Sequence, residues 1–268
     1  MRIFPMAEPL IASYCTTFLK AEMLHIYRQV TGLRRFRTLV ATKERRNADR
    51  YPFDDIELLP EPRSNFVRRF WLKYVRQASP ILYRGEFQVL NAVLRRREAS
   101  LMHIYFGHTA VHLLPFIEIW DRPCVVSFHG ADVMLRESQP EYAGLMRRML
   151  EVVPLVLVRS QSLRERVIAL GCEPSKIRIN RTGIPVDAFP YTPRTVPADG
   201  AWHFVQACRL IPKKGVRVAL RAFRIFRETH PRARFTVAGA GPMEEEPVSY
   251  THLRAHETKA NLVCRLLL

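Results

Sequence analysis

Acidic residues, lysines, paired cysteines and long apolar runs are all scarce in this chain, and each shortage closes off a class of protein. Twenty-five Asp and Glu face 42 Lys and Arg, giving a formal net charge of +17 over 268 residues. Only seven of the cations are lysines (Lys20, Lys43, Lys73, Lys176, Lys213, Lys214 and Lys259), so the excess is carried by arginine. Such a balance points to a partner bearing phosphate or anionic lipid. The five cysteines, Cys15, Cys124, Cys172, Cys208 and Cys264, include no C-x-x-C pair and no histidine at ligand spacing. Neither a zinc site nor a disulfide framework is supported, and a reducing cytosol fits best. Apolar runs such as Val152–Val158 fall far short of the roughly 18 residues a membrane span needs. Residues 1–30 lack a signal-peptide core with a cleavage site, so the chain is expected to be cytoplasmic with any membrane contact peripheral.

What is present is a large apolar fraction, 48%, enough to bury a sizeable core. Short β-branched or aromatic runs alternate with longer helix-period stretches, the pattern of a parallel sheet with crossover helices and hence of the α/β class. The expected strands are Arg2–Phe4, Phe36–Ala41, Ile56–Leu59, His103–Phe106, Cys124–Phe128, Leu155–Val158 and Lys176–Asn180. Helices are expected over Thr17–Val30, Asn65–Gln77, Ile81–Arg97, Thr109–Ile119, Glu141–Leu150 and Leu163–Leu170. The last carries Ser162 as its N-cap with Glu165 as the capping-box partner, and Gly171 where a helix end favours positive φ. A Pro-rich segment from Ile184 to Gly200 then leads into a second strand-helix-strand unit: His203–Cys208, Val216–Thr229 and Arg234–Ala238.

Three segments are candidates for chemistry. In Cys208-Arg209-Leu210-Ile211-Pro212-Lys213-Lys214-Gly215, a loop leaves a strand and opens a helix. Free backbone N–H groups and the positive end of the helix dipole there suit a diphosphate, and Arg209 and Lys214 add two cations. A solvated basic loop is the plainer alternative. In Val125-Val126-Ser127-Phe128-His129-Gly130-Ala131-Asp132, a buried strand ends in a histidine and a glycine at the sheet edge where open α/β folds place ligands. His129 could donate to a sugar hydroxyl or phosphate and Gly130 would let backbone approach it, or His129 could simply be satisfied by backbone. His103-Ile104-Tyr105-Phe106-Gly107-His108 repeats the theme one strand earlier. Val237-Ala238-Gly239-Ala240-Gly241-Pro242 runs a strand into glycines without the third glycine of a dinucleotide fingerprint. The Glu244–Glu246 run reads as a solvated helix start.

In this order, these segments resemble the GT-B-fold retaining glycosyltransferases of family 4 that build bacterial surface polysaccharides. The similar stretches are H-I-Y-F-G-H-T (103–109), V-V-S-F-H-G-A-D (125–132), R-S-Q-S-L-R-E-R-V-I-A-L-G-C (159–172), K-I-R-I-N-R-T-G-I-P-V-D-A-F (176–189), C-R-L-I-P-K-K-G (208–215) and F-T-V-A-G-A-G-P (235–242). The resemblance implies two Rossmann-like domains: an acceptor domain over residues 1–189 and the start of a nucleotide-sugar donor domain over 190–247. It implies that Arg209 and Lys214 grip the donor diphosphate, that His129 contacts the transferred sugar with Gly130 beside it, and that Gly239 and Gly241 shape the donor pocket. Gly183 and Asp187 match the turn at the domain junction. It also implies a nucleotide-sugar co-substrate with no required metal or other cofactor, and a glycan or polyprenyl-linked acceptor. Two features depart from the family: no Glu-x7-Glu element is reached, and Met6–Thr17 supplies no Gly-rich acceptor loop. Residues 248–268, V-S-Y-T-H-L-R-A-H-E-T followed by L-V-C-R-L-L-L, resemble the in-frame translation of a transposon-type sequencing adaptor. The natural chain is therefore expected to continue past Pro247, and the fragment to be inactive alone.

Asn65–Arg76 interleaves Phe66, Phe70, Trp71 and Tyr74 with Arg68, Arg69, Lys73 and Arg76, and Arg95-Arg96-Arg97 follows. Such a helix fits an anionic membrane surface, or an ordinary domain helix with its aromatics in the core. A nucleic-acid or other polyanion binder is the competing functional class. It is disfavoured because the arginines are scattered over many helices and no helix-turn-helix, RRM or zinc-finger pattern is present, so nucleic acid is not an expected partner. A dehydrogenase is disfavoured by the lack of G-x-G-x-x-G after the first expected strand.

Overall fold

The computed structural model describes residues 8–20, 23–62, 65–133, 140–243 and 266–267. The chain forms two compact units, Met1–Ile184 and Pro185–Leu268. The break falls where the Pro-rich segment begins, with Gly183 on one side and Asp187 on the other.

The first unit is built on seven strands: β1 (Leu10–Phe18), β2 (Arg37–Arg45), β3 (Ile56–Leu58), β4 (Leu101–Tyr105), β5 (Cys124–Phe128), β6 (Leu155–Val158) and β7 (Ile177–Ile179). Their order is β3-β2-β1-β4-β5-β6-β7, and every pairing is parallel. Parallel neighbours require crossovers, which are supplied here by α1 (Leu24–Thr31), α2 (Phe66–Phe70), α3 (Pro80–Tyr83), α4 (Glu86–Arg96), α5 (Gly107–Ile117), α6 (Pro140–Val152) and α7 (Gln161–Ala169). All five residues of β5 are buried, as a strand covered on both faces requires. Helix α5 buries eight of its eleven residues against the sheet, including Leu113, Leu114 and Phe116. The winding reverses between β1 and β4, the position where folds of this kind open a crevice at the carboxyl edge of the strands.

Several local expectations are corrected. Strand β1 is Leu10–Phe18, a segment read from sequence as loop running into helix, while the expected strand Arg2–Phe4 lies outside the described residues. Ser13, Thr16 and Thr17 disguised it; within the sheet the Thr17 hydroxyl donates to Glu44 at 3.2 Å. The chain leaves β1 through Leu19, whose φ of 66° breaks the strand, so the expected helix from Thr17 begins only at Leu24. The expected helix Ile81–Arg97 is split into α3 and α4 by Gly85 at φ 75°. The α7 cap is Ser160, which accepts the N–H of Leu163 at 3.1 Å, rather than Ser162; Glu165 is turned to the Gln161 side chain. Gly171, at φ 102°, does close that helix.

The second unit has β8 (His203–Ala207) and β9 (Arg234–Ala238) in parallel, joined by α8 (Val216–Thr229), with β10 (Leu266–Leu267) antiparallel to β9. Leu210, Val216, Phe223, Phe235 and Val237 form its core. Both units are therefore α/β and Rossmann-like, the class expected from the sequence.

The loops leaving β8 and β9 lie against each other. Leu210 donates its N–H to the Ala240 carbonyl at 2.9 Å, and Cys208 to the Ala238 carbonyl at 2.9 Å. A Cβ on Gly239 would sit 1.8 Å from the Cys208 carbonyl oxygen, and one on Gly241 2.4 Å from that of Leu210. Both glycines are thus demanded by backbone packing. Gly239→Ala is expected to destabilise the second unit by about 3 kcal/mol or more, whereas Gly183→Ala, which faces open space, changes stability by less than about 1 kcal/mol. Equal urea midpoints for the two variants would refute this.

Candidate functional site

In the first unit the site is organised by Asp132, which is buried in a single turn (Ala131–Val133) after β5. One carboxylate oxygen accepts the N–H groups of His129 (3.0 Å) and Gly130 (2.8 Å), and the other accepts that of Gly107 (3.0 Å). Gly107 begins α5 directly after β4, so one side chain ties together the ends of two adjacent strands and places negative charge at a helix N-terminus. A Cβ on Gly107 would lie 2.2 Å from the Phe128 ring, and its neighbour Phe106 adopts φ 76°, a conformation rarely taken by non-glycine residues. Asp132 was quoted in the sequence motif without a role; the signal was its place two residues past Gly130, where a carboxylate can cap the preceding turn.

The turn fixes the His129 ring among His25 (centroids 4.8 Å apart), Phe106 (4.9 Å) and Tyr105 (5.9 Å). Neither ring nitrogen hydrogen-bonds to the described protein. Burial, followed by the nearby His25, Arg159 and His103, pushes its pKa down to about 3, so it is a neutral imidazole able to donate one hydrogen bond and accept another. His103 lies deeper, bonded to the Ser127 hydroxyl and stacked on Tyr105, and burial lowers its pKa to about 4. His129 and Gly130 open onto a shallow recess of about 610 Å³ that is also lined by Arg159, Arg166, Arg181 and Thr182. The backbone of His129 is satisfied by Asp132, but its ring is not.

The remaining sequence candidates lie in the second unit. Arg209 and Lys214 are both exposed on the loop between β8 and α8. The Lys214 carbonyl accepts the Gln206 side-chain amide at 2.9 Å, and Gly215, at φ 67°, caps α8 without a side-chain hydrogen bond. The first-turn N–H groups of that helix therefore have no capping side chain competing for them. Gly239 and Gly241 abut this loop from the β9 side. Glu244–Glu246 and residues 248–265 lie outside the described residues. No group of three or more His, Cys, Asp or Glu placed to hold a metal ion occurs among the described residues.

A second cluster in the first unit escaped the sequence reading. Glu86, at the start of α4, bonds Lys43 (2.7 Å) and His112 (2.9 Å), with Arg84 at 3.9 Å. Burial opposes its charge, but the hydrogen bonds from His112 and Lys43 and their positive charge hold the carboxyl down at about 2. Lys43 and Arg84 border two recesses of about 350 and 420 Å³, the first also lined by Tyr14, Arg69 and Glu86, the second by Thr16, His108 and Tyr142. These residues come from β1, β2, α2, the end of α3, α4, α5 and α6, and no sequence motif joins them.

No protein-family profile matches the chain. In sequence it is similar to the colanic acid biosynthesis glycosyltransferase WcaL of Salmonella typhimurium, at 35% identity over 122 residues, 44% of this chain and 29% of that protein. It is also similar to the amylovoran biosynthesis glycosyltransferase AmsK of Erwinia amylovora, at 27% identity over 176 residues, 65% of this chain and 42% of that protein. The chain thus spans less than half the length of these curated relatives. In fold it is similar to Anabaena Alr3699/HepE, crystallised with UDP (TM-score 0.65, 14% identity, 91% of this chain and 64% of that one). A sucrose-phosphate synthase from Thermosynechococcus elongatus gives a TM-score of 0.61 at 11% identity, covering 90% of this chain and 67% of that one. The architecture is of the GT-B type, as these likenesses in fold show.

Two outcomes follow from the geometry. Asp132→Asn, which exchanges an anionic acceptor for an amide, should lower stability by about 2 to 4 kcal/mol in urea unfolding, and Asp132→Ala by no less. A loss under about 0.5 kcal/mol would mean that the turn does not depend on the carboxylate. For Glu86, a carboxyl held below its ordinary value of 4.5 contributes stability that is fully present above that pH and fades as pH falls toward 2. Glu86→Gln should therefore cost on the order of 2 kcal/mol at pH 7 and about half of that or less at pH 3. The same loss at both pH values would show that the charge contributes nothing.

Proposed function

We propose that the chain belongs to a retaining glycosyltransferase of the family-4 kind. It would transfer a hexose from a nucleotide sugar to a glycan or polyprenyl-linked acceptor during cell-envelope polysaccharide synthesis on the cytoplasmic side. The observation that carries this reading is the β8–α8 loop, where two exposed cations, Arg209 and Lys214, stand at the uncapped N-terminus of a 14-residue helix. Similarity to the two polysaccharide glycosyltransferases supplies the reaction class, and the UDP held by Alr3699/HepE supplies the donor type.

The proposed chemistry needs charge neutralisation more than acid-base catalysis. As the bond from the anomeric carbon to the diphosphate oxygen breaks, negative charge builds on the departing nucleoside diphosphate. Arg209 would meet it with a planar fork and Lys214 with a mobile point charge, while backbone N–H groups of α8 add fixed dipoles. In this reading these groups stand in place of a divalent cation, and no metal is required. His129, neutral and with both ring nitrogens unused by protein, would hydrogen-bond a hydroxyl of the transferred sugar, with Gly130 leaving backbone room beside it. Acceptor binding is assigned to the first unit, whose recesses combine Lys43, Arg84 and Tyr14.

Titration of the chain with UDP, GDP and ADP, followed by calorimetry or amide chemical shifts, tests the loop. Lys214→Ala and Arg209→Ala should each weaken nucleoside diphosphate binding by about tenfold, and Lys213→Ala by less than about twofold. Equal effects at Lys213 and Lys214 would overturn the assignment of the cations. Absence of binding by all three nucleotides would overturn the loop as a diphosphate site.

A further inference from the structure

We propose that the helix from Phe66 to Val75 is a docking surface for an anionic lipid bilayer, a property separate from the donor site. The sequence left open whether its aromatics enter the core. They do not: no residue from Asn65 to Gln77 is buried, and although Leu72 is half-buried, the other large apolar side chains are exposed, from 45% for Trp71 to 79% for Phe66. A folded chain does not ordinarily leave six such side chains, Phe66, Val67, Phe70, Trp71, Tyr74 and Val75, together in water.

Their arrangement is a ridge. Phe66, Phe70 and Tyr74 stack in succession, with ring centroids 6.4 and 4.8 Å apart. After Phe70 the helix widens to a π-turn, in which the Arg76 N–H reaches the Trp71 carbonyl at 3.0 Å. The wider turn counters the rotation that i, i+4 steps accumulate in an α-helix, keeping the rings in line. Cations flank them: Lys73 lies 4.7 Å over the Tyr74 ring and Arg76 5.0 Å over that of Trp71.

Charge identifies the occupant. From Pro62 to Gly85 the sequence contains no acidic residue. Among the described residues, Arg68, Arg69, Lys73 and Arg76 have no carboxylate partner, whereas the other basic run is spoken for: Arg95 pairs with Asp121, Arg96 with Glu57, and Arg97 with Asp55 and Glu57. Unpaired cations beside an apolar ridge call for a surface that is anionic and apolar within a few ångströms, which is the headgroup and acyl boundary of an anionic leaflet. A nucleic acid would answer the charge but not the ridge.

Flotation of the chain with phosphatidylcholine vesicles, with and without phosphatidylglycerol, is the test. The chain should float only with the anionic vesicles, and Trp71 emission should shift to the blue. Arg68→Glu/Lys73→Glu should weaken partitioning by roughly thirtyfold or more, and Phe70→Ser/Trp71→Ser should abolish it. Arg221→Glu/Arg224→Glu, the same charge change on exposed positions of α8, should leave it within about threefold, and circular dichroism should show all variants folded. Three results would overturn the proposal: a chain that stays in the dense fraction with both vesicles, equal losses for the two charge-reversal variants, or a dimer in light scattering that Phe70→Ser/Trp71→Ser dissociates.

Discussion

Parallel pairing is the constraint from which the candidate site follows. Seven strands running one way must each be returned by a crossover, so all their carboxyl ends emerge along one edge of the sheet. That edge delivers Lys43 from β2, Gly107 after β4, His129 and Gly130 after β5, Arg159 after β6 and Arg181 after β7. Residues distant in sequence become neighbours without any specific contact having to recruit them. Asp132 then converts proximity into fixed geometry, because three backbone donors from two strand ends converge on one carboxylate. A buried carboxylate is tolerable only when so accompanied, and here its partners are the very groups that set the His129 position.

The same burial sets the chemistry of the histidine. Removed from water and placed near His25 and Arg159, His129 cannot hold a proton at neutral pH. It therefore offers hydrogen bonds and no charge, which suits recognition of neutral hydroxyls. Positive charge is concentrated instead on side chains that reach solvent, at the rim of the recess and on the β8–α8 loop. The division has a physical logic: arginine and lysine keep their charge because water or an anion solvates them, whereas an imidazole surrounded by aromatic rings surrenders its proton.

Much of this was legible in the sequence, and the failures have particular causes. The strands β5, β6, β8 and β9 are short apolar or β-branched runs between turn residues, and their positions matched expectation closely. Strand β1 did not announce itself, because its serine and threonines hide a strand, and the Thr17 hydroxyl meets Glu44 only once β2 pairs with it. Helix α7 was recognised but its cap was displaced by two residues, since Ser160 and Ser162 are equivalent until the strand before them fixes where the chain turns. Among the candidate residues, His129 and Gly130 in the first unit and Arg209 and Lys214 in the second stood out because they lie in contiguous motifs. The Lys43–Glu86–His112 cluster could not, because its members lie on three elements and only the sheet order brings them together. Gly239 and Gly241 were legible as glycines that matter, but packing against the carbonyls of Cys208 and Leu210 accounts for them before any ligand is considered.

The net charge of +17 is therefore not one property but several local ones. Where acids are near in space, as at Arg96, Arg97 and Glu57, the cations are absorbed into the fold, and Glu57 itself is held below its ordinary pKa by hydrogen bonds from Arg97 and Arg96 despite partial burial. Where acids are absent, the charge is left facing outward in separate places, on the β8–α8 loop and along the aromatic helix. Uniform repulsion among arginines would favour spreading them evenly over the surface. Local clustering runs against that, and it is sustained only because each cluster is exposed enough for water to screen it. The cost falls whenever an anion takes the place of that water. Each of these outward clusters is joined to a structural feature, a helix N-terminus or an aromatic ridge, which fixes the shape of the surface an anion would meet there.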